Sequence, residues 1–341
     1  MDPHIKITGI GSVPYRDSLE TSQKIIQVCP LMPFWPQMVK VSPQEEMMKH
    51  FVGVFDSREE LGDGGIKIVE GEKRAASMAS FYEKALGDDL SAFAISEFRA
   101  RGLYALVRIL KERPCQGGFV KGQVIGPFTL ALGVKDSHGR NGLNQEEVWE
   151  AIVEGIKKKI HWQAEYLGST GRRPVVFLDE PGLSGYGSAF STLSETQIVD
   201  TLSSLAWEIK SKRDILMGIH CCGNTDWGIL LRTGVDIISL DTYGFSESFF
   251  LYPNEIKGFL ERGGIIALGY IPTSGGVLSI PVDSIAHGLR ECLKRFYRLG
   301  FDRDRLMESS IFTPACGMGS LSPQEADKVL EILSMTESFL E

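Results

Sequence analysis

Cysteine is scarce in this chain. Six residues in 341 are too few for the disulfide framework of a small secreted domain. Cys29, Cys115 and Cys292 stand alone and read as buried small hydrophobes. Long apolar runs are missing too, and none approaches the roughly 18 residues of a membrane span. No block of lysine and arginine occurs, and the formal net charge of −8 argues against nucleic acid and anionic membrane surfaces as partners. The opening "MDPHIKITGIG" is not a charged-then-apolar leader, so the expected location is the cytoplasm. No linker rich in Gly, Ser or Pro divides the chain and no repeat appears. Residues 1–341 are therefore expected to form one domain, a length within the range of barrels.

What is present alternates. Short apolar or period-two runs mark strands at 4–10, 65–71, 118–126, 174–180, 214–220, 235–241, 263–270 and 305–312. Amphipathic helical patterns separate most of them, with start signals at Asp17, Asn144 and a capping box at Ser322 and Glu325. Eight strands alternating with helices predict a parallel sheet closed into a (β/α)8 TIM barrel, with a doubly wound open sheet as the alternative. Residues 30–64, with Pro30, Pro33 and Pro36 around Phe34 and Trp35, read as an elaborated first βα connection.

The strand ends carry the polar chemistry. They read "GSVP", "EGEKR", "GPFT", "DEPGL", "HCCGN", "DTYG", "GYIPTSGG" and "TPACGMGS", while the strand interiors are apolar. In extended backbone, residues two apart share a side, so His220 and Cys222 point one way and Cys221 the other. Asp241 ends the next strand and Cys316 follows the last. His220, Cys222, Asp241 and Cys316 together offer zinc one nitrogen, two sulfurs and one oxygen. The competing reading is core thiols with a helix-capping Asp. A zinc site of this kind deprotonates a bound thiol near neutral pH and suits thiol alkylation better than hydrolysis. The remaining rim residues suit a small zwitterion: Asp179 and Glu72 for an ammonium, Gly11 and Ser12 for a carboxylate. The alternatives are loop capping for Asp179 and a solvated surface charge for Glu72.

In order along the chain, "GIGSVP", "PFWPQM", "GQVIGPFTL", "VVFLDEPGL", "GIHCCGN", "ISLDTYG" and "TPACGMGSL" resemble the C-terminal catalytic barrel of the cobalamin-independent methionine synthase family. That barrel belongs to the wider superfamily of uroporphyrinogen decarboxylase-like barrels. The resemblance implies a zinc-dependent homocysteine S-methyltransferase that makes methionine. It implies zinc on His220, Cys222, Asp241 and Cys316, and homocysteine on Gly11, Ser12, Asp179 and Glu72. Three departures bear on the methyl donor. The chain has no room for the family's second, N-terminal domain. Asp241 stands where the usual synthase has Glu. "GYIPTSGG" lacks the His that protonates the folate leaving group, and Tyr270 and Tyr243 are the nearest substitute acids. A methyl-corrinoid, or a methylated corrinoid protein as partner, is therefore expected in place of methyltetrahydrofolate, because cobalt leaves without a proton. The rival readings are another acceptor such as a coenzyme thiol, a porphyrin-type decarboxylase, and a non-catalytic barrel that binds zinc or a corrinoid protein.

Overall fold

The computed structural model describes residues 6–54, 58–60, 66–68, 70–112, 118–187 and 193–341. Its centre is a curled parallel sheet of six strands, hydrogen-bonded in chain order: β1 (Phe119–Ile125), β2 (Arg173–Asp179), β3 (Leu216–Cys221), β4 (Ile237–Asp241), β5 (Ile265–Ile271) and β6 (Ser310–Pro314). Five of the sequence-predicted strands coincide with β1 to β5 within two residues. They are largely apolar on both faces, as expected for a parallel sheet covered by helices, with Lys121, Gln123, His220 and Ser239 as buried polar exceptions. Val175, Phe177, Ile237, Ala267 and Ile311 cluster with Met32 on the concave side. Their alternates Val176, Leu178, Ile238, Leu268 and Phe312 join the large core formed with the helices. The period of two thus separates an inner face from an outer one. Asp179, His220, Asp241 and Thr313 continue the inner series at the C-terminal ends of their strands.

The helical layer follows the sequence signals closely. Asp17 accepts from the backbone N–H groups of Leu19 and Glu20 and starts helix Ser18–Val28. Ser322 and Glu325 form the reciprocal capping box of helix Pro323–Ser334. Helix Glu146–Gly168 begins one residue later than its Asn144 signal, with Gln145 at the cap position and no side-chain capping bond. Among the described residues, no helix is long and apolar enough to cross a membrane.

The strand count at the two sheet edges departs from expectation. Ile66–Ile68, read as a strand of the main sheet, lies in a separate three-stranded sheet with Arg58–Glu60 and Val134–Lys135. Residues 305–312 split: Asp302 caps a helix over Arg303–Glu308, and the strand is confined to Ser310–Pro314. At the β6 edge, residues 6–10 are the described part of the 4–10 run, and they supply a bridge from Ile7 to Phe312. The Thr8 N–H donates to the Phe312 carbonyl at 3.1 Å. At the β1 edge, the proline-rich segment takes a strand-like place. The Leu31 and Pro33 carbonyls accept from Phe119 and Lys121, and the Trp35 N–H donates back to Lys121. The two edge segments meet where Gln37 bridges Ser12.

Candidate functional site

Three side chains predicted as ligands converge. One donor atom each from His220, Cys222 and Cys316 lies within 4.8 Å of the other two. His220 sits on the inner face of β3, paired with Asp179 of β2 and Ser239 of β4. Cys222 follows β3 by one residue, and Cys316 lies two residues past β6. Two sulfurs bound to one tetrahedral zinc at about 2.3 Å stand about 3.8 Å apart, so the observed spread is within reach of a single ion.

The His220 ring is prepared for such an ion. Its Nδ1 lies 3.0 Å from the Ser239 hydroxyl, while its Nε2 is buried and has no hydrogen-bond partner. Holding the proton at Nδ1 through a neighbouring acceptor leaves the Nε2 lone pair for a metal. An orphaned ring nitrogen in the protein interior is otherwise costly. The thiols show the same demand. Interaction with the Cys316 thiol, and then with the His220 ring, draws Cys222 down. Its interaction with Cys222, followed by burial, pushes Cys316 up. A cation between the two sulfurs satisfies both without a shared proton. The donor set therefore fits zinc.

The other predicted residues fall into two groups. Asp179 belongs with the cluster: its carboxylate Oδ1 is buried and unpartnered. Burial raises its carboxyl to about 6, against the pull of His220 and Lys121. Gly11 and Ser12 also arrive here. The Ser12 carbonyl accepts from Met318 N–H, and its hydroxyl accepts from Gly319 N–H at 3.3 Å. This ties the segment to the loop that carries Cys316. Asp241 ends its strand beside Cys222, but its Oδ1 accepts from Gly244 N–H at 2.7 Å and caps helix Thr242–Phe249. The three-residue cluster does not include it. Glu72 is exposed at the start of helix Glu72–Leu86 and is not among the residues gathered at the thiols.

Cys221 is filler, as the alternation requires. It is fully buried in the outer core, and its thiol faces the Gly223 carbonyl. Tyr270, a candidate acid, is on the wrong face: its hydroxyl lies 2.8 Å from Thr336 in the helix layer, and burial pushes it further up. Tyr243 is about half exposed. Two roles escaped the sequence. Glu180, next to Asp179, turns outward and clamps the neighbouring helix. Its carboxylate accepts from Phe128 N–H, Thr129 N–H and the Thr129 hydroxyl at 3.0, 2.8 and 2.6 Å. Lys121 is buried on the inner face of β1. A lysine inside an apolar strand pattern was the available signal.

No protein-family model matches the chain, and no curated protein matches its sequence. Solved structures do share its shape. A B12-independent methionine synthase from Shewanella sp. W3-18-1, in complex with selenomethionine, superposes with a TM-score of 0.56 at 14% identity, covering 98% of this chain and 97% of that one. A methyltransferase from Methanosarcina mazei gives 0.53 at 15% identity, over 99% and 94%. At such identities the likeness is one of fold, a curled parallel sheet sheathed in helices, and it extends over nearly the whole of all three chains.

Proposed function

We propose that this chain is a zinc-dependent methyltransferase that methylates a thiol, with homocysteine as acceptor and methionine as product. The observation that carries the reading is the convergence of the buried His220 ring, whose Nε2 has no partner, with the sulfurs of Cys222 and Cys316. The names of the two structural neighbours favour the same class of reaction. On this reading the edge segments 6–13 and 31–37 complete a (β/α)8 barrel around the site.

His220, Cys222 and Cys316 would hold the zinc, with Asp241 beside them as a carboxylate that can exchange its capping bond for the metal. Held there, zinc would supply a Lewis acid that favours the thiolate form of a thiol near neutral pH. Asp179 binds the ammonium of the acceptor, because its free carboxylate oxygen has no partner in the protein. Gly11 and Ser12 receive the carboxylate from the opposite side, next to the Cys316 loop. A methyl-corrinoid, free or on a protein partner, is the donor on this reading, since residues 269–276 supply no histidine and Tyr270 is turned away.

Zinc content and methionine formation from homocysteine, measured with methylcobalamin and methyltetrahydrofolate in parallel, test the whole reading. About one zinc per chain and turnover with methylcobalamin are expected. Equal or better turnover with the folate overturns the donor. No methylated thiol with either donor overturns the activity.

A further inference from the structure

We infer that Lys121 is a positioning residue for the acceptor's carboxylate; the inference rests on the homocysteine reading above. Lys121 is 1% exposed, and its ammonium stands inside the sheet. A buried ammonium is costly unless its donors are used, and an apolar residue would fill the same space more cheaply. Here the Nζ donates to the Ile10 carbonyl at 2.5 Å and reaches the Gln123 side-chain oxygen at 3.5 Å. It also lies 4.8 Å from the centre of the Phe177 ring.

Those contacts converge on one short segment. Ile10 precedes Gly11 and Ser12, which hold no regular strand of their own. Gln123, two residues from Lys121 on the same face, packs so closely on Gly11 that an added Cβ would lie 2.6 Å from its side-chain nitrogen. Beyond Gly11, Ser12 grips the backbone of Met318 and Gly319. The inner face of β1 thus fixes the 10–12 segment from below, and the loop carrying Cys316 fixes it from above. Removing the ammonium frees the Ile10 carbonyl and lets the carboxylate seat drift. The three metal ligands stand on β3 and after β6, and Lys121 makes none of the Ser12 bonds that tie the segment to the Cys316 loop.

The test is Lys121→Met, which keeps the volume and removes the charge. It is assayed against two acceptors, homocysteine and 3-aminopropane-1-thiol, which is the same thiol without the carboxylate, with zinc measured on the same samples. The expected result is full zinc occupancy and a rise of about tenfold or more in KM for homocysteine, on the scale of one lost charged hydrogen bond. KM for the decarboxylated thiol should rise less than that for homocysteine, because it shares only the ammonium contact at Asp179, on which Lys121 also pulls, and kcat should move little. Equal losses on both thiols, or loss of zinc, overturn the positioning role. If Lys121→Met does not fold, Gly11→Ala disturbs the same segment from the Gln123 side and must show the same carboxylate-selective loss. A wild-type protein inert toward both thiols sinks the activity itself, a result separate from the selectivity of the variants.

Discussion

At the scale of single residues, neighbours in sequence have been given opposite environments. Cys221 and Cys222 are the same residue type, joined by one peptide bond, yet burial raises the first to about 12, while Cys316 and His220 draw the second down. Only the second faces other donors. Cys222→Ser and Cys316→Ser should each strip the metal, read by elemental analysis. Cys221→Ala should keep it and cost about 1 kcal/mol, the scale of a small buried group lost from a core. Retained zinc in both serine variants overturns the site. Asp179→Asn should leave zinc in place and weaken homocysteine binding about tenfold or more, as removal of a charged partner does; calorimetric titration showing unchanged affinity rejects the assignment. Most of these residues were legible in the sequence because period two assigns a side without knowledge of the fold. Glu72 was not, since its run reads as a strand but belongs to a different sheet.

At the scale of elements, the chain's strands announce themselves where they are fully buried and hide where they are not. β1 to β5 are mostly apolar runs, broken in β1 by Lys121 and Gln123, and the pattern places them within two residues. The edge segments make only isolated bridges. Residues 31–37 carry two prolines, which lack the N–H that a regular ladder needs. Pro33 takes part through its carbonyl alone, with Leu31 and Trp35 supplying the other bonds to β1, so the segment read as a loop. Close approach between elements was equally invisible. Glu180 crosses from the end of β2 to the start of helix Pro127–Gly133, directly over Gly126, where an added Cβ would lie 2.1 Å from the carboxyl carbon. Three hydrogen bonds hold that carboxylate, so it cannot give way. Gly126→Ala is expected to destabilise the protein by about 1–3 kcal/mol through overpacking. Gly258→Ala, exposed in helix Pro253–Glu261 with open space around its Cβ position, should stabilise it by about 0.5–1 kcal/mol. Urea midpoints of the two variants check the opposite signs, and a neutral Gly126→Ala removes the clamp argument.

At the scale of the whole molecule, the site is assembled from distant parts of the chain. The segment at 6–13 meets the one at 310–319, and β2 to β4 supply the rest, so the centre exists only when the sheet has curled. Its stability against pH is set by buried groups pulling in opposite directions. Glu180, raised by burial to about 7, favours the folded state below the ordinary carboxylate range and loses that contribution as pH rises through 7. His161 acts the other way. Its Nδ1 accepts from the Arg213 guanidinium at 3.2 Å. Burial first, then Arg213, Lys212 and Lys158 against Glu208, lower it to about 4. Unfolded, the ring binds a proton below its ordinary value near 6.5. Between roughly pH 6.5 and 4 the unfolded chain therefore carries one more proton at this residue, and stability falls as pH falls. In His161→Gln a side-chain oxygen can still accept from Arg213 but does not titrate in that range. The carboxylates that pull the other way are common to both proteins and cancel in the comparison. The melting temperature of the wild type should drop more steeply than that of His161→Gln from pH 6.5 to 4.5, with the two curves parallel above pH 7. Parallel curves through the acid range would show that His161 titrates normally in the fold and that its bond to Arg213 does not hold it neutral.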